Sequence, residues 1–166
     1  MKKVAITIIC ILMLFVYQIT KSNGESLKTS NSDFVFIKNQ KIFLNVADSP
    51  EKLMKGLMYI DNISENQGMV FLFKKPDYKK FWMKNMKIPL DILFIYKDKI
   101  VKIDKEVPIC EKDKCPLYES KYKIDSVLEL KAGFCDKYNI KTGDEIKYSQ
   151  DIKTKWISLK ENYTQL

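Results

Sequence analysis

Residues 81–95 read FWMKNMKIPLDILFI, and this is the most informative stretch of the chain. Its apolar runs predict a strand over 81–84 and a second strand over 91–96. Pro89 lacks a backbone N–H and pushes the residue before it into an extended conformation. A regular ladder therefore cannot run straight through, and we expect the chain to pack around the irregular connection over 82–91, hereafter the corner.

The composition bounds both the size and the chemistry of the protein. Its 166 residues are enough for one domain, and the abundant aromatic and β-branched residues favour a packed core. The chain contains no histidine, which excludes Ser-His-Asp and Cys-His catalysis and histidine metal ligation. The net charge of +8 comes from lysines scattered among acids, so we interpret it as a solvated mixed-charge surface.

Residues 1–24 have the pattern of an export signal. Two lysines precede an apolar run that extends to Tyr17, and small residues follow where a signal peptidase reads. We expect cleavage before Glu25 and a periplasmic or extracellular protein, for which nucleic acid is a poor partner. The alternative is an uncleaved anchor formed by residues 4–19, through which alone the chain would contact a membrane.

The rest of the chain consists of short apolar runs between turn residues. Further strands are predicted over 34–37, 42–46, 69–73, 99–104, 126–130, 145–148 and, at an edge, 155–157. Two short helices are predicted, one opened by Ser49 and Pro50 and one over 132–138. This pattern indicates an α+β domain with a mostly antiparallel, small barrel-like sheet. We divide the chain into a flexible leader over 25–33, a domain over 34–149 and a C-terminal extension over 150–166.

Several short motifs carry a family resemblance. In chain order they are Lys55-Gly56-Leu57-Met58, Gly68-Met69-Val70-Phe71, the 81–95 stretch, Cys110, Cys115-Pro116, Tyr118, Val127-Leu128-Glu129-Leu130, Ala132-Gly133 and Gly143-Asp144. Together they resemble the DUF192 family, also called UPF0127, over about residues 40–149. The resemblance implies a compact single-domain fold, often behind a signal peptide, and no assigned mechanism. Met86 and Cys135 depart from the family pattern.

Cysteine spacing suggests one structural bridge. Cys110 and Cys115 lie in a loop between two prolines, and in an oxidising compartment this favours a disulfide. The alternatives are a redox-active pair, although the spacing is not C-x-x-C, and a zinc site, which lacks two further ligands. We expect Cys135 to be an ordinary buried residue.

Five methionines permit a soft-metal hypothesis, because thioethers suit copper(I). They are Met54, Met58, Met69, Met83 and Met86. Core packing is the simpler interpretation of this set, and we expect neither a metal nor a cofactor.

The remaining candidate binding residues are Trp82, Lys84, Asn85, Asp91 and Glu129. Convergence of Asp91 and Glu129 near Trp82 would make a carboxylate and aromatic cleft, as used in sugar binding or glycoside hydrolysis. In the structural alternative, Asn85 and Asp91 cap backbone donors of the corner and Glu129 pairs with a lysine. We expect Trp82 itself to lie in the core.

Three functions are compatible with these features. The first is a non-catalytic exported module that binds a small molecule, glycan or envelope protein through the corner. The second is a hydrolase or lyase acting on cell-wall or polysaccharide material, with Asp91 and Glu129 as its weak catalytic candidates. The third is a soft-metal or redox accessory protein that uses Met83 and the two loop cysteines.

Overall fold

A computed structural model describes residues 25–164, so the predicted export signal lies outside the described residues. The strands are β1 (Phe34–Ile37), β2 (Gln40–Ala47), β3 (Gln67–Asp77), β4 (Lys80–Phe81), β5 (Leu90–Tyr96), β6 (Lys99–Val107), β7 (Tyr118–Glu119), β8 (Ile124–Lys131) and β9 (Ile146–Tyr148). The helices are α1 (Pro50–Lys55), α2 (Phe134–Lys137) and α3 (Gln150–Thr164). Within residues 25–164, no helix is long and apolar enough to cross a membrane.

One curled sheet organises the domain. Its seven strands follow the order β6-β5-β8-β3-β2-β1-β9, and β4 pairs with β7 in a separate small sheet. Neighbours in the large sheet are antiparallel except for β2 and β3. Parallel neighbours need a crossover connection, and α1 lies within it. The predicted α+β class and barrel-like sheet are confirmed.

Backbone hydrogen bonds tie the two ends of the large sheet together. The Gly143 N–H donates to the Ile100 carbonyl at 2.8 Å, and the Ile100 N–H donates to the Asp144 carbonyl at 3.0 Å. The Ile146 N–H donates to the Asp98 carbonyl at 2.7 Å. Gly143 has a φ of 94°, which a side chain would disfavour. The sheet therefore curls into a half-barrel, and these hydrogen bonds connect the start of β6 to the turn before β9.

The large sheet separates two hydrophobic cores, because successive side chains along a strand point to opposite faces. In β5, Leu93 packs into the first core, which α2, α3 and β9 cover, whereas Ile92 and Phe94 pack into the second. The corner and the segment after α1 cover the second core. Residues 25–33, for which we predicted a flexible leader, contribute the buried Leu27 to it.

The C-terminal segment is a helix, so the edge strand predicted over 155–157 is wrong. Ile152, Trp156 and Leu159 recur at helical spacing and pack against the first core. The Ser149 hydroxyl accepts the Ile152 N–H at 3.5 Å at the start of α3. The Trp156 indole N–H donates to a β3 carbonyl at 3.0 Å. The amphipathic pattern of this segment is weak, and the spacing of its buried apolar residues is that of a helix and not the two-residue period of a strand.

The corner is more irregular than predicted. The strand expected over 81–84 shrinks to the two residues of β4. The chain then turns at Asn85, which has a φ of 59°. The predicted disulfide between Cys110 and Cys115 is present, with the Cα atoms 5.7 Å apart. An isolated bridge between Lys84 and Cys110 holds the corner against the disulfide loop.

Candidate functional site

A cavity of about 330 Å³ opens between α1, β3 and the corner; we call it the Glu129 cavity. Its walls are mostly apolar, and its aromatic side chains are Phe71, Phe73, Phe81 and Trp82. Small-molecule sites are typically clefts of this kind, with apolar walls and a few placed polar groups.

Glu129 is the acidic residue of the cavity. It lies on the interior strand β8, between β5 and β3, where its in-register partners are Ile92 and Met69. The residue is only 6% exposed, and its Oε2 atom has no hydrogen-bond partner within residues 25–164. Burial raises the pKa of this carboxyl to about 8, because desolvation penalises the charged form. The lysine partner that we predicted for Glu129 is therefore absent from the described part of the chain.

Trp82 lies at the mouth of the cavity and not in the core, where we expected it. Its side chain is 47% exposed, and the Lys84 ammonium lies 5.5 Å from its ring centroid. A half-exposed tryptophan beside an apolar cavity offers a large contact surface and one hydrogen-bond donor.

Three lysines surround the mouth, and two of them already have acidic partners. They are Lys55, Lys79 and Lys80. The Lys80 ammonium lies 2.8 Å from the Glu119 carboxylate, and the Lys79 ammonium lies 3.3 Å from the Asp77 carboxylate. The positive charge at this mouth is thus partly neutralised by the protein itself.

Asp91 does not reach the Glu129 cavity. It pairs in register with Leu130, whereas Glu129 pairs with Ile92. Because alternate residues of a strand face opposite sides, the two carboxylates point to opposite faces of the sheet. The convergent carboxylate pair that we considered in the sequence is therefore not formed.

The Asp91 carboxylate instead accepts three backbone hydrogen bonds. Its Oδ1 accepts the Glu106 N–H at 2.8 Å and the Gly133 N–H at 3.3 Å. Its Oδ2 accepts the Cys135 N–H at 2.8 Å. This fully buried side chain fixes α2 against the end of β6, so its capping role lies away from the corner where we predicted it.

Lys84 and Asn85 are both exposed and do not line the cavity. The Asn85 amide donates to the Met58 sulfur at 3.9 Å, and the Asn85 carbonyl accepts the Tyr59 N–H at 3.0 Å. Asn85 therefore ties the corner to the segment that follows α1.

The methionines divide between core and cavity. Met69 and Met83 are buried in the second core, as the packing interpretation predicted. The three methionines of the cavity wall are Met54, Met58 and Met86. Together with the aromatic rings, these thioethers make an electron-rich lining.

The loop cysteines are joined to each other, so in this state they offer no thiolate to a metal. Within residues 25–164, no three His, Cys, Asp or Glu side chains cluster in a way that would hold a metal ion. Cys135 is buried in the first core, and burial raises the pKa of its thiol. It is thus the ordinary buried residue that we predicted.

Sequence reasoning missed several cavity residues. The sequence predicts Phe71 and Phe73 only as part of a strand, although their two-residue spacing from Met69 places all three side chains on one face. No sequence pattern indicates that Lys79 and Lys80 line a cavity, because their position at its mouth depends on the pairing of β4 with β7.

The family of this chain follows from a family-model match over most of its length. The model of the DUF192 family, described as an uncharacterized ACR, matches residues 34–148. The chain belongs to the DUF192 family. This confirms the resemblance of its sequence motifs and supplies no activity for this DUF192 protein.

Two solved structures are similar to this DUF192 protein. A candidate transcription regulator from Sinorhizobium meliloti 1021 is 26% identical with a TM-score of 0.66, and the match covers 74% of this chain and 98% of that chain. A protein of unknown function from Novosphingobium aromaticivorans DSM 12444 is 27% identical with a TM-score of 0.64, and the match covers 69% and 83%. None of the curated proteins compared matches this chain.

Proposed function

We propose that this DUF192 protein is an exported, non-catalytic module that binds a small molecule in the Glu129 cavity. One observation carries the proposal: Glu129, a residue of the cavity wall, has a buried carboxyl oxygen without a protein partner among residues 25–164. Leaving a buried polar atom unpaired costs about 1–3 kcal/mol. Such atoms are rare in native proteins, and ligand binding is one use that accounts for them.

The cavity favours a small molecule over the other partners that we considered. A glycan presents many hydroxyl groups, whereas most of the lining side chains here are Leu, Met, Phe and Trp. An envelope protein would need a broad surface, since stable interfaces bury about 800 Å² on each partner. A mostly apolar cavity with one buried carboxyl group and lysines at its mouth suits a compact ligand with an apolar body.

The hydrolase alternative loses its second carboxylate, because Asp91 is committed to three backbone donors on the other face. The accessory-protein alternative loses the two cysteine thiolates to the disulfide. Neither alternative explains the unpartnered Glu129 oxygen as directly as ligand binding does.

Export is supported by the signal-like N-terminal sequence and by a disulfide of the kind that persists in oxidising compartments. An exported protein would be separated from the chromosome, so a role in transcription, as described for the Sinorhizobium protein, does not fit this proposal.

A fragment screen by ligand-observed NMR on the purified protein tests the proposal. We expect hits that lose binding in both Trp82→Ala and Glu129→Gln and keep it in Tyr78→Ala. Tyr78 is 61% exposed and does not line the cavity, so it is a matched aromatic control. A screen without hits, or hits that bind both cavity variants as well as the parent, would refute it.

A further inference from the structure

We propose that the ligand of the Glu129 cavity is an organic ammonium ion on an apolar body, and that its binding displaces the proton of Glu129. This inference rests on the proposed function and names the chemical class of its ligand. It starts from Glu129, a residue of the cavity wall that is only 6% exposed and whose Oε2 atom has no protein partner among residues 25–164.

The chemistry of the walls favours a positive, hydrogen-bond-donating group. The cavity presents four aromatic side chains, three thioethers and one carboxyl. Aromatic faces and thioether sulfurs are electron-rich, and aromatic rings bind ammonium groups well when water is excluded. Apart from lysines and the Trp82 indole, the lining offers no permanent side-chain donor for an anionic or carbonyl group.

Ammonium groups of the protein already lie over two of these rings. The Lys79 ammonium lies 4.9 Å from the Phe73 ring centroid, and the Lys84 ammonium lies 5.5 Å from the Trp82 ring centroid. Two aromatic rings of the cavity wall thus already have an ammonium group within contact distance. The Glu129 carboxyl adds a charge partner that these two lysines do not use.

The lysines at the mouth set the charge balance of this site. Lys79 and Lys80 are paired with Asp77 and Glu119, and Lys55 and Lys80 are exposed. The in-register neighbours of Glu129 on β3 and β5 are the apolar Met69 and Ile92. Among the described residues that line the cavity, the charged side chains other than Glu129 are therefore these three lysines.

Binding releases one proton. Glu129 in its neutral form gives its proton to water, and the resulting carboxylate pairs with the ammonium ion that enters. No bond to carbon or nitrogen forms or breaks. Because the pKa of this carboxyl is about 8, the proton must be removed at neutral pH, and affinity depends on pH.

Isothermal titration calorimetry with three matched probes tests the inference on the full protein. The probes are 4-phenylbutylamine, 4-phenylbutan-1-ol and 4-phenylbutanoate, which share one apolar body. We expect the amine to bind most tightly, with an affinity that rises by up to tenfold per pH unit from pH 6 to about 8. Buffers of different ionisation enthalpy should report about one proton released at pH 7.

Variants separate the ligand class from the site. Glu129→Gln should lose most of the amine affinity and its pH dependence, and Glu161→Gln, at an exposed position on α3, should keep both. The proton count on the unmodified protein carries the test even if Glu129→Gln fails to fold.

The other outcomes discriminate clearly. Tighter binding of the alcohol or the carboxylate, with loss in Trp82→Ala, would overturn the ammonium class and leave the binding function standing. Amine binding without proton release would also overturn it. Absence of binding by all three probes counts against the ammonium, and absence of any fragment hit rejects the binding function itself. If silver(I) binds, competes with the amine and loses affinity in Met86→Ala, the cavity would instead be a soft-metal site.

Discussion

Asp91 and Glu129 lie on adjacent strands, yet their surroundings give the two carboxyl groups different roles. Asp91 accepts three backbone N–H groups and is fully buried, so its place is explained by the fold. Glu129 has an oxygen without a partner among residues 25–164 and lines a cavity. The difference identifies Asp91 as a structural residue and Glu129 as the candidate for binding.

Asp91→Asn should lower the free energy of unfolding by about 1–3 kcal/mol. The new amide turns an N–H group towards backbone donors, and each buried donor left unpaired costs about 1–3 kcal/mol. Urea denaturation at pH 7 measures the loss. Asp113→Asn, at an exposed position, should stay within about 0.5 kcal/mol of the parent. Equal stability of Asp91→Asn and the parent would contradict the capping role.

At the scale of elements, α3 and the corner fix the two cores. α3 covers the first core through Ile152 and Trp156, and the Trp156 indole is tied to the Phe73 carbonyl. The corner covers the second core through Met83, while Trp82 remains at the cavity mouth. Strand β3 links the two elements, because the Phe73 carbonyl accepts the Trp156 indole N–H and Phe71 shares the second core with Met83.

Trp156→Ala should destabilise the protein by about 3–5 kcal/mol, because it empties a buried site on the first core. The neighbouring Ile157 is 53% exposed, so Ile157→Ala should cost less than about 0.5 kcal/mol. Chemical denaturation of both variants under the same conditions gives the comparison. A larger loss at Ile157 than at Trp156 would mean that this segment is not packed as α3.

The sequence predicts local features better than it predicts pairing. Ser49 and Pro50 open α1 as expected, and a short helix, α2, lies within the predicted range 132–138. The Cys110–Cys115 bridge is predicted from the cysteine spacing together with the expected export, and the disulfide is present. The register between β5 and β8 cannot be predicted from the sequence. In the observed register Asp91 pairs with Leu130 and not with Glu129, so the two carboxylates lie on opposite faces of the sheet. The mouth lysines depend on a two-residue strand pair that no local pattern predicts.

At the scale of the whole molecule, the absence of histidine simplifies the dependence of stability on pH. Glu129 has an ordinary pKa of 4.5 and a folded-state pKa of about 8. Between these values the folded state holds a proton that the unfolded state has lost. Its contribution to stability is therefore complete below about pH 4.5 and is lost as the pH rises to 8.

The free energy of unfolding should fall by up to about 1.4 kcal/mol per pH unit within this window and level off above it. Asp125, whose pKa is also raised by burial, adds to the fall at the acidic end. Urea titrations at half-unit intervals from pH 5 to 9 measure the slope. Glu129→Gln should remove most of it, and an unchanged slope in that variant would assign the effect to another group.

The most direct test of the account is the titration of the Glu129 side chain itself. Carbon-13 NMR of the glutamate carboxyl groups, with the Glu129 signal assigned by its absence in Glu129→Gln, reports the midpoint without a ligand. The account predicts a midpoint near 8 that shifts to lower pH when 4-phenylbutylamine is added. A midpoint near 4.5 would show an ordinary solvated carboxylate, and the Glu129 cavity would lose the feature on which its proposed function depends.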